Sequence, residues 1–195
     1  MHPEKTRIAH INDGFNFLGF SVKRYRGKCL IKPQKEKVLA KLAELRLWLN
    51  EHQAAATENV IRHLNPILRG WSENYRHVVS KQAFSYVSDE IWKMLWKWCL
   101  RRHPNKGKRW VVTKYFGAVE HARWRFQAKT GSETLYLYDI RLVPIERHIK
   151  VKGTASPDDP SLQNYWKMRQ DERKTRRRQR KVTKNPATIR VGGVS

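Results

Sequence analysis

Between Pro33 and His103 the apolar positions fall at helical spacing three times over. Val38, Leu39, Leu42, Leu45, Trp48 and Leu49 form one stripe, with Lys35, Lys37, Lys41 and Arg46 largely on the other side. Val60, Ile61, Leu64, Ile67, Leu68, Trp71 and Tyr75 form a second, and Phe84, Val87, Ile91, Leu95 and Trp98 a third. Thr57 and Ser80 are residue types that cap helix N-termini. Pro33 suits the first turn of the leading helix, where a missing N–H costs nothing. Pro66 interrupts the second stripe and predicts a break, with Asn65 capping a new helix. The third stripe runs out in Arg101-Arg102-His103-Pro104-Asn105-Lys106-Gly107, a basic loop with turn chemistry. Matching apolar faces joined by short polar links predict a small three-helix bundle.

On both sides of this bundle the period shortens. Phe15 to Tyr25 and Cys29 to Lys32 read as strands joined by Tyr25-Arg26-Gly27-Lys28, a hairpin connection. Gly19 inside the first run marks a bulge or a close backbone approach. The outward cations Lys23, Arg24, Arg26, Lys28 and Lys32 make one edge of the hairpin basic. After the bundle, Lys108 to Phe116 is a short aromatic segment of open type. Ala122 to Ala128 and Thr134 to Leu142 alternate around Gly131-Ser132, a second hairpin. Val143 to Gly153 (Pro144, Arg147, His148, Lys150, Lys152) is basic and extended, and Ser156 to Pro160 is a turn. Leu162 to Arg169 starts a last helix that dissolves in the cationic run Arg173 to Lys181, expected to be disordered until bound. The fold class is α+β, mainly α. Its order is an N-terminal β-hairpin (1–32), a helical bundle (33–103), a small mixed β/α region (104–170) and a disordered basic tail (171–195).

Charge then narrows the function. The 195 residues carry 41 Lys+Arg against 17 Asp+Glu, a formal net charge of +24. That excess points to a polyanionic partner, because neutralising phosphates releases condensed counterions; a ribosomal or chromatin-like packaging role would also use it. No run approaches the ~20 apolar residues of a spanning helix, and no secretory signal opens the chain. The polar faces are interrupted by Trp and His, unlike one basic amphipathic helix, so an intracellular protein without a membrane partner is expected. Cys29 and Cys99 are too few for a Cys-rich zinc site and read as reduced thiols in or near the core. The eight histidines show no metal-pair spacing and read as polar surface or RNA-facing residues.

Trp92, Trp96, Trp98, Trp110, Trp124 and Trp166 all have basic neighbours, a mixture that suits unpaired RNA. Trp48, Trp71 and Trp98 sit on core stripes and read as packing residues, which leaves Trp96 and Trp110 freer to be exposed. The candidate RNA contacts are Lys23, Arg24, Arg26, Lys28, Lys32, Arg69, Trp96, Arg101, Arg102, Lys106, Lys108, Arg109 and Trp110. Asp158-Asp159 is the one Asp-Asp pair, but flanking prolines make it a surface turn rather than a metal-binding strand end. No phosphate loop, nucleophile elbow or Cys-His arrangement is present. No catalytic or metal-binding set is therefore assigned.

Two segments carry a family resemblance. Phe15-Asn16-Phe17-Leu18-Gly19-Phe20 and Leu68-Arg69-Gly70-Trp71-Ser72-Glu73-Asn74-Tyr75, in that order, resemble the maturase-specific region of group II intron-encoded proteins. Glu4-Lys5-Thr6 with Gly14 to Phe20 resembles the last reverse-transcriptase block. Residues 33 to about 100 resemble the helical thumb, or X domain, with Pro66, Gly70, Trp71, Asn74 and Tyr75 as its marks. Arg102 to Arg169 resembles the DNA-binding-like segment that follows the thumb in some bacterial members.

The resemblance implies a thumb-like bundle and an RNA-binding module that recognises group II intron RNA and assists its folding or splicing. It places the fingers, the palm and the polymerase aspartates before Met1, and the endonuclease ligands near or after the basic tail, where none is found. No cofactor is then implied for this chain, Mg2+ entering only with a palm-bearing partner. The alternatives are the carboxy-terminal part of a split group II intron reverse transcriptase, an RNA-directed DNA polymerase, or a decayed fragment of one. Target DNA and a separately encoded fingers–palm protein are the further partners, and a bacterial cytoplasm, with nucleoid association, the expected place. Without a palm to pack on, Phe15, Phe17 and Phe20 would be left partly exposed.

Overall fold

The structure is a computed structural model that describes residues 9–119, 122–131, 133–146, 151–153 and 155–183. Glu4, Lys5, Thr6, Ser132, Arg147, His148, Lys150 and residues 184–195 of the tail lie outside the described residues. The chain divides into two compact units, residues 1–147 and 148–195.

The first unit opens with strands β1 (Phe15–Phe17), β2 (Phe20–Tyr25) and β3 (Lys28–Pro33), an antiparallel meander. The run predicted as one strand folds back at Leu18-Gly19, with φ of 47° and 83°, and the next turn repeats this at Arg26-Gly27, with 46° and 76°. Paired positive φ values in two-residue connections match the right-handed twist of the flanking strands. Gly19 thus makes a turn rather than a bulge. Its close approach is also real, since a Cβ there would lie 3.1 Å from the Tyr75 hydroxyl. The hairpin is in fact three strands.

Helices α1 (Lys35–Glu51), α2 (Thr57–Tyr75) and α3 (Lys81–Arg102) form the predicted bundle. Their start signals differ from expectation. Pro33 ends β3 and Gln34 takes the N-cap position of α1. Ala56, not Thr57, precedes α2, and Ser80 precedes α3 without a side-chain cap bond.

α2 runs unbroken through Pro66. Pro66 sits on the exposed side, where water can take the carbonyl it releases, and Leu64 and Leu68 hold the buried face on either side. Asn65 does not cap a new helix. Its side chain donates to the Tyr136 carbonyl (3.0 Å) and accepts from the Tyr138 N–H (2.7 Å).

The aromatic segment of open type is helix α4 (Lys108–Tyr115), which runs straight into β4 (Phe116–Val119). With β5 (Ala122–Thr130) and β6 (Glu133–Tyr136) it makes a second three-stranded antiparallel sheet. β6 stops six residues short of the predicted Leu142. Asn65 takes up Tyr136 and Tyr138, Arg125 Nε donates to the Leu137 carbonyl (2.9 Å), and Ile140–Leu142 is a single 3-10 turn.

One core joins these elements, with Leu45, Ile61, Leu64, Phe84, Leu95, Trp98, Val111, Phe126 and Ile140 among its buried side chains. Trp48 and Trp71 are half-buried against it. Cys99 lies in this core, where burial pushes its thiol up to about 12. Cys29 is exposed on β3, unlike the expected core thiol. Arg76, buried at the end of α2, pairs with Glu73 (2.9 Å) and with Glu146.

In the second unit the Asp158-Asp159 pair is the predicted turn. Asp159 accepts hydrogen bonds from the Ser161 N–H (2.9 Å) and hydroxyl (2.7 Å). Helix α5 (Gln163–Thr183) follows, anchored by Trp166 Nε1 donating to the Ser156 carbonyl (2.8 Å). It continues past Arg173, where it was expected to dissolve. Arg, Lys and Gln are good helix formers, and no Gly or Pro interrupts them before Thr183. Among the described residues no helix is long and apolar enough to cross a membrane.

Candidate nucleic-acid interface

The two family-like segments meet in space. The Tyr75 hydroxyl, at the end of α2, donates to the Gly19 carbonyl (3.2 Å) in the turn between β1 and β2. The Tyr75 ring meets Phe20 edge-on (5.2 Å between centroids) and packs on Trp71 (5.0 Å), which reaches Phe84 of α3 (5.6 Å). The same Gly19 carbonyl accepts the Gln34 N–H (2.9 Å) at the start of α1. This joint docks the sheet on the bundle. Its residues are packed inward, so their place in the pattern is explained by packing.

Register sorts the basic residues of the first sheet. Tyr25 pairs with Lys28 and Ser21 with Lys32, so Lys23, Tyr25, Lys28 and Lys32 share one face. There the Lys32 ammonium lies 4.7 Å from the Tyr25 ring centroid and that of Lys23 6.0 Å away. Arg24 pairs with Cys29 and belongs to the opposite face, while Arg26 sits in the turn. The other face is apolar. Phe15, Phe17 and Ile31 are exposed on it, Phe17 by 62% and the adjoining Leu18 by 79%, whereas Phe20 is half-buried on Tyr75.

The densest grouping is the corner where α3 gives way to α4. The loop closes through the Lys106 N–H on the His103 carbonyl (3.1 Å), and Gly107 then leads α4 with no side-chain cap. Lys108 and Arg109 occupy the first turn without any acidic residue, at the end where the helix dipole is positive. Cations there are electrostatically unfavourable, and an anion would relieve both the dipole and the uncapped N–H groups. Beside them Trp110 is exposed, with the Lys114 ammonium 4.7 Å and the Lys106 ammonium 5.6 Å from its ring centroid. His103 stands edge-on to Trp110 (4.8 Å), its Nε2 2.7 Å from the Tyr115 hydroxyl. Partial burial, then repulsion from Lys114, Arg102 and Lys106, holds the His103 imidazole below its ordinary value.

The remaining candidates have other surroundings. Arg69 is exposed on α2 with its guanidinium over Tyr138 (5.4 Å). Arg101 donates to Asn50 Oδ1 (2.7 Å), and Arg102 donates to the Ala55 carbonyl while lying over Trp98 (4.6 Å). Arg101 thus ties α3 to the last turn of α1, and Arg102 ties it to the link between α1 and α2. Trp96 is half-buried under Trp92, which is the exposed member of the pair. The structure therefore brings Lys106, Lys108, Arg109 and Trp110 to one corner and Lys23, Lys28 and Lys32 to one sheet face. Lys114 and His103 were missing from the sequence-based set. Lys114 follows Trp110 at i+4, a neighbour relation visible once the segment is read as a helix.

A three-helix bundle flanked by two small sheets, with cations and an exposed indole gathered where α3 meets α4, defines a basic helical module. Residues 38–116, from the first turn of α1 to the start of β4, match the family model of the group II intron, maturase-specific domain. Over this stretch the chain is similar to a group II intron maturase-specific domain. A comparison with curated proteins returned no significant match.

Proposed function

We propose that the chain is an RNA-binding module that recognises group II intron RNA and assists its folding or splicing. The observation that carries this reading is the Trp110 corner, an indole under two lysine ammoniums beside an uncapped, cation-bearing helix start. It lies inside the stretch that matches the maturase-specific domain. A maturase domain implies intron RNA as a partner in general, and the net charge of +24 suits one. Phosphates would be held by Lys106, Lys108, Arg109 and Lys114, with Lys23, Lys28 and Lys32 as a second basic face. Structured RNA is recognised through such shape and backbone contacts.

The test compares the group II intron nearest the gene with an unrelated structured RNA of equal length, at two salt concentrations. A preference of about 10³-fold or more that survives the higher salt supports the reading. Equal, salt-labile binding to both RNAs overturns it.

A second reading is favoured by the apolar face of the first sheet, where Phe15, Phe17, Leu18 and Ile31 are exposed together. Such a patch suits a fingers–palm partner, joined or separate, and with it Mg2+-dependent polymerase chemistry supplied by that partner. Co-purification with a palm-bearing protein, lost in F17S/L18S, is the outcome this reading requires.

A further inference from the structure

The exposed aromatic surface of the first unit has a second centre, away from Trp110. Trp92 and Trp96 lie one turn apart on α3 with their indoles parallel to within 6° and 5.7 Å between centroids. Phe116, only 4% exposed, packs against both rings at 5.8 and 5.9 Å and meets Phe126 edge-on at 5.6 Å. The pair is thereby backed by the core and held in place. Trp92 remains 38% exposed. On β5, Trp124 stands two residues before Phe126, hence on the same face of that strand, and is 53% exposed.

Packing accounts for Trp96, which the sequence had suggested as a contact and which instead supports Trp92. It does not account for Trp124, more than half of whose surface faces water. Two large indoles left exposed in so basic a chain fit one ligand chemistry well, a flat aromatic ring carried on an anionic backbone. Lys97 is exposed on the neighbouring stripe of α3, and Lys93 beside it is held by Glu90 (2.7 Å). Paired bases are stacked within their own helix, so a duplex cannot use such rings, whereas unpaired bases can.

We propose that Trp92 and Trp124 form a stacking shelf for unpaired nucleobases, with Trp96 and Phe116 as the positioning residues behind Trp92. The proposal rests on the RNA-binding reading above and adds to it a site for single-stranded loops that is separate from the phosphate-holding corner.

The test measures binding of a short oligouridylate and of an abasic strand of equal length, which keeps the phosphates and removes the bases. Native protein, W92A/W124A and W92F/W124F are compared, with thermal unfolding as the check that each is folded. The native protein is expected to prefer the oligouridylate by about tenfold or more, the scale of one stacked base. W92A/W124A should lose that preference while keeping its affinity for the abasic strand, and W92F/W124F, which retains a ring at each position, should restore it. An undiminished preference in W92A/W124A overturns the shelf, as does a native protein that binds both strands alike while still binding structured RNA. Failure of the native protein to bind any of these RNAs at low salt overturns the RNA-binding reading along with it.

Discussion

The joint at Tyr75 and the corner at Trp110 use the same ingredients, aromatic rings beside a turn, to opposite ends. At the joint every ring has a ring partner. Phe20, Tyr75, Trp71 and Phe84 pass contacts inward, and the Tyr75 hydroxyl is spent on the Gly19 carbonyl. At the corner the indole is half open, and beside the edge of His103 its companions are ammoniums. The first arrangement lowers the energy of the free protein. The second raises it, by placing Lys106, Lys108 and Arg109 around a helix start, and becomes favourable when an anion arrives. Local conflict of this kind is what functional surfaces carry and packed joints do not.

The largest effect should come from breaking the joint. Tyr75→Ala removes a buried ring that spans sheet and bundle, and should cost about 3–5 kcal/mol in denaturant unfolding. Tyr75→Phe keeps the ring and loses only the bond to Gly19, about 1 kcal/mol. Similar losses in the two variants would mean that the ring contacts contribute little and that the joint is misread. At the corner the reverse pattern is expected. K106A/K108A/R109A/K114A should leave the protein at least as stable as native, since it removes cations from a helix start. The slope of log affinity for RNA against log salt should fall by about 3, the share of four phosphate contacts. An unchanged slope would remove the corner from the interface.

Most of the bundle was legible because burial imposes a period. The three stripes follow the buried faces of α1, α2 and α3, except that Leu39 is exposed and Trp48, Ile67 and Trp71 are half-buried; Phe84, Val87, Ile91, Leu95 and Trp98 are all buried. Errors gathered where tertiary contacts override local chemistry. Pro66 reads as a break because a proline interior to a helix loses a bond, yet Asn65 beside it is tied to β6 and the apolar face continues across it. The three-stranded meander was hidden for a different reason. Leu18 carries a φ of 47°, which an apolar side chain does not advertise, so only Gly19 marked the turn. The candidate site was legible as composition and not as geometry. Arg24 and Lys23 look equivalent in sequence but point to opposite faces of β2, and Arg102 looks free but is held to Ala55.

A smaller effect sharpens the corner by pH. The folded His103 imidazole is depressed, so the native state binds fewer protons there than the unfolded chain. Its contribution to stability is present in full above the ordinary value of 6.5 and is lost as pH falls through the folded value. A phosphate held between Lys106 and Lys114 would cancel much of the repulsion that helps depress it. An NMR titration of His103, assigned with H103Q, should therefore show a midpoint below 6.5 in the free protein and a rise when RNA is added. A midpoint indifferent to RNA would place the phosphates elsewhere.

Gly70 offers the smallest change and the finest division between the two regions. It belongs to the same segment as Trp71 and Tyr75, so it would be expected to serve the joint. A Cβ placed there meets nothing within 4 Å, and the residue is exposed beside Arg69 on the outer side of α2. Packing does not require a glycine at that position, and the helix loses about 0.5–1 kcal/mol by having one rather than alanine. Gly70→Ala should accordingly stabilise the protein by that amount. If the glycine lets an RNA backbone approach α2 closely at Arg69, the added methyl will weaken RNA binding even as the unfolding midpoint rises. That opposite movement would put Gly70 with the interface. A rise in stability with affinity unchanged would put it with neither region and confine the RNA contacts to the corner, the basic face of the first sheet and the aromatic shelf.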